Sequence, residues 1–595
     1  MSRMILRFAP ILFFFCSCIS NTQLLAQAAD AKAAAPDAKQ AEPKAAEEVP
    51  RFSSRTQLVL VPVVVTDKNG NHVGGLGREA FKIDEHGKAR EATIFEEMKT
   101  EAPTDKARVA VNLTGHSNFN LGDGRNWRIT VVVLDMINTP YLAQHEGRKR
   151  LIAYLSKSLQ RDEPTALFGL GRKGLKQLHP FTTDTAVLIA ALKRINGQVG
   201  TDEINEQSEK IVGDEADMVK QLASISHLSQ TSEAAQQVSD FMNDMQTIMD
   251  NFEEREAIRT TLKAMSQIAH AYEAIPGRKT MIWVSGGFPF MIDDPQVFAR
   301  MGMDMTKEYE DTWHALIAAD IAVYTVDVTG LGGVGVGMPT GHYDGTRPQF
   351  IAPNPRAPVD TKMSLLYDKA AQRQDTLRAF ADATGGASCL NTNDIEDCFG
   401  HALKDSREYY LLGYYLPSGE QKPGWRKLKV KVNVEGVHVR ARQGFYVSGP
   451  TEDTVEARQR QLVDALRSPV EFTGVRINVR EEPVSGDVKH SAGKSARDFL
   501  VGVIGSSMTV DTQNGNAVDL TVVSIAIGAN GRNAGQTERH VSTKLTPQAL
   551  EQIRRTGLGV KQSLELAPGK YDVRFAVRDN LNGEIGTVEY PLEVK

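Results

Sequence analysis

Cysteine is nearly absent, positive charge is not in excess, and apolar runs are short everywhere beyond the first twenty residues. Each lack excludes something. With a formal net charge of -5 over 595 residues, the chain has no electrostatic footprint for nucleic acid or anionic lipid. No segment after the N-terminus reaches the roughly 20 apolar residues that a bilayer crossing needs. Catalytic signatures are missing too. There is no Gly-x-Ser-x-Gly elbow, and His145-Glu146 is not followed by the second His of a zinc-binding helix. Carboxylate pairs such as Asp293-Asp294 and Glu253-Glu254 carry no sign of desolvation and read as solvated surface. Gly330-Leu331-Gly332-Gly333-Val334-Gly335 matches a dinucleotide fingerprint after a strand. A Pro-rich stretch to Pro358 follows in place of the helix that would hold a pyrophosphate, so a loop is the reading.

What is present begins with Arg3 and Arg7, the apolar run Phe8 to Ile19, and Ala26-Gln27-Ala28. This is the pattern of a signal peptide over 1–28, and it predicts an exported protein in the periplasm, the outer envelope or the medium. Lipid attachment at Cys18 is the less favoured alternative, because Phe15-Cys16-Ser17 is a poor version of that signal. With Cys16 and Cys18 removed, Cys389 and Cys398 remain as an even, local pair that fits a disulfide in an oxidising compartment; two reduced thiols are the alternative.

At 595 residues the chain exceeds one hydrophobic core. Residues 29–50, rich in Ala, Lys, Glu and Pro, read as a disordered linker. Short apolar runs between Gly and Asn turns predict a small sandwich-like β module over 51–100. Over 127–448 strand and helix patterns alternate. The runs Ile129 to Leu134, Thr280 to Val284 and Ile321 to Val326 are nearly all apolar, which predicts a doubly wound, mainly parallel α/β sheet. A helical insertion interrupts it at 196–277. There Val238, Met242, Met245, Met249 and Phe252, then Ile258, Leu262, Met265, Ala269 and Tyr272, form stripes that face either a partner helix or their own domain. A β hairpin turning at Glu435-Gly436 is expected to close this domain. A linking helix at 453–466 and a second β-sandwich-like domain at 468–595 complete the expectation.

The run Val131 to Asp135 with Asn138-Thr139-Pro140, Phe181 to Asp184, and Gly277 to Gly287 resembles the von Willebrand factor A fold in order and spacing. Joined to Thr384-Gly385-Gly386, Tyr409 to Tyr414 and Arg440 to Tyr446, the set is similar to the von Willebrand factor A-related family of acidobacterial genomes, over roughly 55–448. The resemblance implies a metal-ion-dependent adhesion site at one rim of the sheet. Asp135 matches its Asp, Thr139 its second Ser and Thr182 its Thr. Ile137 stands where the first Ser belongs and Gly286 where the last Asp belongs, so the ligand set is degenerate, with Asn138, Asp184 and Asp327 as neighbours that could supplement it.

The expected function is that of a non-catalytic protein-binding or adhesion scaffold without a cofactor. Asn138, Phe288, Phe290 and Tyr324 are its candidate partner contacts, and the protein partner is unidentified. One alternative is adhesion completed by Mg²⁺ or another divalent cation. Another is an exported hydrolase using the 328–360 loop.

Overall fold

The computed structural model describes residues 57–99, 115–118, 128–139, 141–157, 163–198, 255–287, 305–329, 374–392, 394–447, 454–484 and 493–595. The signal segment, the linker, the stripe from Val238 to Phe252, Phe288, Phe290 and the glycine-rich run at 330–335 lie outside the described residues.

Strands whose residues are buried on both sides must sit inside a sheet covered on both faces. Thr130–Asp135, Lys279–Ser285 and Ile321–Asp327 are buried at every position, and Thr165–Gly171 at all but its last. They form the middle of a six-stranded sheet, in the order Ala387–Cys389, Ile321–Asp327, Lys279–Ser285, Thr130–Asp135, Thr165–Gly171, Gly174–Thr182. Neighbours run parallel except the last, which returns antiparallel as a hairpin.

Because side chains alternate along a strand, Val131 and Val133 pack on one face, with Ile258, Leu262, Met265, Ala269 and Tyr272 of the helix at 255–272 and with Leu316 of Thr306–Ala318. Val132 and Leu134 pack on the other, with Leu151 and Leu155 of Tyr141–Lys157, Leu192 of Thr185–Gln198, and Phe399 and Leu403 of Ile395–Arg407. The second apolar stripe of the insertion is therefore core of its own domain, not a free helix face. Cys389 and Cys398 are joined in a disulfide with Cα atoms 5.9 Å apart, tying the sheet's edge strand to the start of Ile395–Arg407.

The β module expected at 51–100 is half of a larger unit. Gln57–Thr66 pairs antiparallel with Glu408–Leu416 and His438–Ala441, and Ile94–Lys99 extends the same four-stranded sheet. Phe81–Glu85 pairs with Gly424–Val432 in a second sheet, with Gly444–Val447 and Lys88–Arg90. Val61, Val63, Ile83, Tyr410, Leu412 and Phe445 fill the space between them. This corrects the expected hairpin: at Glu435-Gly436, where Gly436 takes φ +74°, the chain crosses from one sheet to the other, so the two strands it joins belong to different sheets.

Ile477–Glu482, Ser495–Val503 and Leu558–Leu566 form one sheet of the C-terminal unit, and Ala517–Gly528, Asn533–Lys544, Gly569–Asp579 and Ile585–Val594 form the other. Phe499, Val501, Leu520, Val522, Phe575 and Val577 lie between. His116–Ser117, from far upstream, adds an edge strand. Next to it Asn118 donates to the carbonyls of Phe472 (2.7 Å) and Val475 (2.8 Å) and accepts from Ile477 N–H (2.9 Å).

Candidate functional site

In the central sheet the strand order reverses between Thr130–Asp135 and Lys279–Ser285. The chain leaves the first toward Thr165–Gly171 and the second toward Ile321–Asp327. Crossovers diverge there, and in open α/β sheets the crevice so opened at the C-terminal strand ends is where ligands bind. Asp135 ends the first strand and Ser285 the second.

Asp135 is 2% exposed. One carboxylate oxygen accepts from Asn138 N–H at 3.1 Å; the other accepts from the Ser285 hydroxyl at 2.8 Å and the Trp283 indole N–H at 3.2 Å. The Asn138 amide bridges both oxygens, at 3.1 and 2.8 Å, and also donates to Thr261 Oγ1 at 2.8 Å. Burial pushes the Asp135 carboxyl above the ordinary aspartate range, against the lowering pull of the donors from Asn138, Ser285 and Trp283. Thr139 Oγ1 accepts from Gly286 N–H at 2.8 Å, and Ser285 Oγ accepts from Gly287 N–H at 3.0 Å. Together these bonds fix the loops that follow the two strands. Asp327 shares this rim, paired in register with Ser285, and accepts from Thr329 N–H and hydroxyl and from Gln374.

Thr182 does not join them. It pairs with Thr165, and Thr165 is level with Thr130, five positions before Asp135, so Thr182 stands roughly 17 Å away toward the opposite end of the sheet. The reason is the antiparallel return of Gly174–Thr182, a strand that the polar sequence Lys176-Gln177 and the edge Pro180 concealed. Asp184 goes with it: its carboxylate accepts from Ala186 N–H at 2.8 Å at the start of Thr185–Gln198. Asp135, Thr139 and Thr182 are therefore not a common donor set for an ion. Among the described residues no group of three or more His, Cys, Asp or Glu side chains is placed to hold a metal.

Of the candidate partner contacts, Asn138 stands half-buried on the rim. Tyr324 does not: it is 3% exposed, its hydroxyl donates to Asp405 at 3.0 Å and accepts from Arg278 at 3.3 Å, and Asp405 also meets Arg440 of the neighbouring sandwich at 2.6 Å. Tyr324 is a strut between two units, not a surface anchor. Sequence reasoning missed Trp283 as a partner of Asp135. Its signal was an indole N–H inside an all-buried strand, a group that has to find an acceptor.

Among the described residues no helix is long and apolar enough to cross a membrane. No family model matches the chain, and no curated protein matches it. Among solved structures it is similar to the TFIIH p34 N-terminal domain, at 12% identity over 34% of this chain and 81% of that one, with a TM-score of 0.15. It is also similar to a Bacteroides fragilis protein named as a candidate beta-galactosidase, at 14% identity over 33% of this chain and 25% of that one, with a TM-score of 0.14. Scores this low carry no argument about fold or function.

Proposed function

We propose that this chain is an exported, non-catalytic binding scaffold of the von Willebrand factor A-related kind. Two sandwich-like units hold an α/β unit whose rim, at the strand-order reversal, meets a protein partner. The observation that carries this reading is the saturation of Asp135. Both carboxylate oxygens are taken by donors from Asn138, Trp283 and Ser285, so the residue acts as a tie between loops and offers no free lone pair to an ion. Partner affinity then comes from the shape and polar groups of the rim, Asn138 included, with no covalent step.

Isothermal titration of the signal-free protein with Mg²⁺, Mn²⁺ and Ca²⁺ after chelation tests it, beside an Asp135→Asn variant whose unfolding curve is recorded. The expected result is no saturable heat below about 1 mM ion. Tight binding that disappears in the folded variant would overturn the reading in favour of metal-dependent adhesion.

A further inference from the structure

The strand Gly424–Val432 has the sequence Gly-Trp-Arg-Lys-Leu-Lys-Val-Lys-Val. Its alternation puts Trp425, Lys427, Lys429 and Lys431 on one side, and all four are exposed, while Leu428 points into the sandwich core. Successive lysines of such a row stand about 7 Å apart, and the row with its tryptophan spans roughly 20 Å. On the neighbouring strand Lys82 is directly opposite Lys431, and Asp84 is opposite Lys429. Asp84 is already engaged by Gly87 N–H at 3.0 Å. None of Lys82, Lys427, Lys429 and Lys431 forms an ion pair among the described residues. At the tryptophan end, Tyr446 is the cross-strand partner of Trp425, and His314 stacks on both, with ring centroids at 3.9 Å from Tyr446 and 6.0 Å from Trp425. Trp425 and Tyr446 remain 39% and 37% exposed.

Two features argue that this face has an anionic occupant. Like charges directly across a strand pair destabilise a sheet, and Lys82 facing Lys431 brings no return within the fold. Lysines that guard a sheet against edge pairing belong on outer strands. Lys429 and Lys431 do have a paired neighbour only on the Phe81–Glu85 side, but Lys427, opposite Gly444 on one side and with its carbonyl accepting from His86 N–H on the other, is not at an edge. The layout selects among anions. The charges lie in a row rather than a plane, which suits a linear polymer better than a membrane. Single-stranded nucleic acid is held by aromatics interleaved with the charges, one platform per base or two, whereas here the aromatics sit at one end only. A sugar ring, with its apolar C–H face, fits such a single platform.

We propose that this face binds a linear acidic polysaccharide, its carboxylates or sulfates on Lys427, Lys429, Lys431 and Lys82 and one sugar ring on Trp425 and Tyr446. The site is separate from the sheet rim.

The test is fluorescence anisotropy of the signal-free protein with a labelled polygalacturonate oligomer, with neutral dextran and oligo(dT) of similar length as comparisons. Binding is expected to polygalacturonate and not to dextran, and to weaken at least about tenfold between 50 and 200 mM salt. Replacing Lys427, Lys429 and Lys431 together by Gln should weaken it tenfold or more, and replacing them by Arg should not. These exposed positions leave the fold intact, which thermal unfolding checks. Trp425→Ala should weaken binding several-fold with the salt dependence unchanged. Undiminished binding by the Gln variant overturns the proposal. So does oligo(dT) binding as tightly as polygalacturonate with no effect of Trp425→Ala, which would make the face a nonspecific nucleic-acid surface.

Discussion

Ser285 donates its hydroxyl to Asp135 across 2.8 Å and so ties together the C-terminal ends of two adjacent parallel strands. Removing that carboxylate leaves the Ser285 hydroxyl and the Trp283 indole without an acceptor in a buried place, and the Asn138 amide with Thr261 Oγ1 alone. Asp135→Ala is therefore expected to lower stability by about 3 kcal/mol in denaturant titration. Asp135→Asn, which keeps one acceptor oxygen, is expected to cost less. A change under about 0.5 kcal/mol for the alanine variant would contradict the role of a tie.

Thr182 serves the loop before Thr185–Gln198, where its hydroxyl accepts from Asp184 N–H at 3.0 Å. Thr182→Ala is expected to cost about 1 kcal/mol or less in stability and to leave divalent-ion titrations unchanged from wild type. An ion affinity that falls with this substitution would place Thr182 at the rim after all.

Glu471 lies against the C-terminal sandwich and accepts from Glu589 N–H at 3.0 Å; burial raises its carboxyl to about 7. In the unfolded chain the group ionises near pH 4.5, so the folded state holds the extra proton between pH 4.5 and 7. Stability falls as pH rises through that window and stays lower above it. Glu471→Gln, which cannot ionise, is expected to gain on the order of 2 kcal/mol over wild type at pH 8 and little at pH 4.5. Urea unfolding at the two pH values measures the difference, and an equal effect at both would rule out the linkage.

The Cys389–Cys398 disulfide closes a short loop between the edge strand and its neighbouring helix. Its loss, by replacing both cysteines with Ser, is expected to cost about 2–3 kcal/mol. Unfolding of the double variant beside the reduced and oxidised wild type checks it, and identical curves for all three would show that the crosslink contributes nothing.

The central sheet was legible because its strands are uniformly apolar. Val131 to Leu134, Thr280 to Val284 and Ile321 to Val326 admit few readings other than strands buried on both faces. Polar strands were not: Gly174–Thr182 has exposed Lys176 and half-buried Gln177 and His179, and overlooking it put Thr182 at the wrong end of the sheet. The first sandwich was read as two separate pieces because its pairings, such as Val61 with Leu412, join residues on either side of the entire α/β unit. No local pattern encodes a contact of that span. Asp135 and Thr139 were singled out by their match to the adhesion-site pattern that the resemblance implies, but the indole of Trp283 reaches Asp135 only through the register of two strands that the sequence does not align.

That same pairing sets a timetable for synthesis. Gln57–Thr66 leaves the ribosome about 350 residues before the strand it must lie against, an interval of roughly 20–70 s at ordinary elongation rates. Throughout it Val59, Val61, Val63 and Val65 have no sheet to join. The α/β unit, whose parallel strands all arise from residues 130–389, has most of its chain available before Glu408–Leu416 is made. The first strand among the described residues is thus seated only after the strands of the α/β unit have been made, and the nascent protein carries an apolar β-strand without its sheet until the polypeptide is about seven-tenths made.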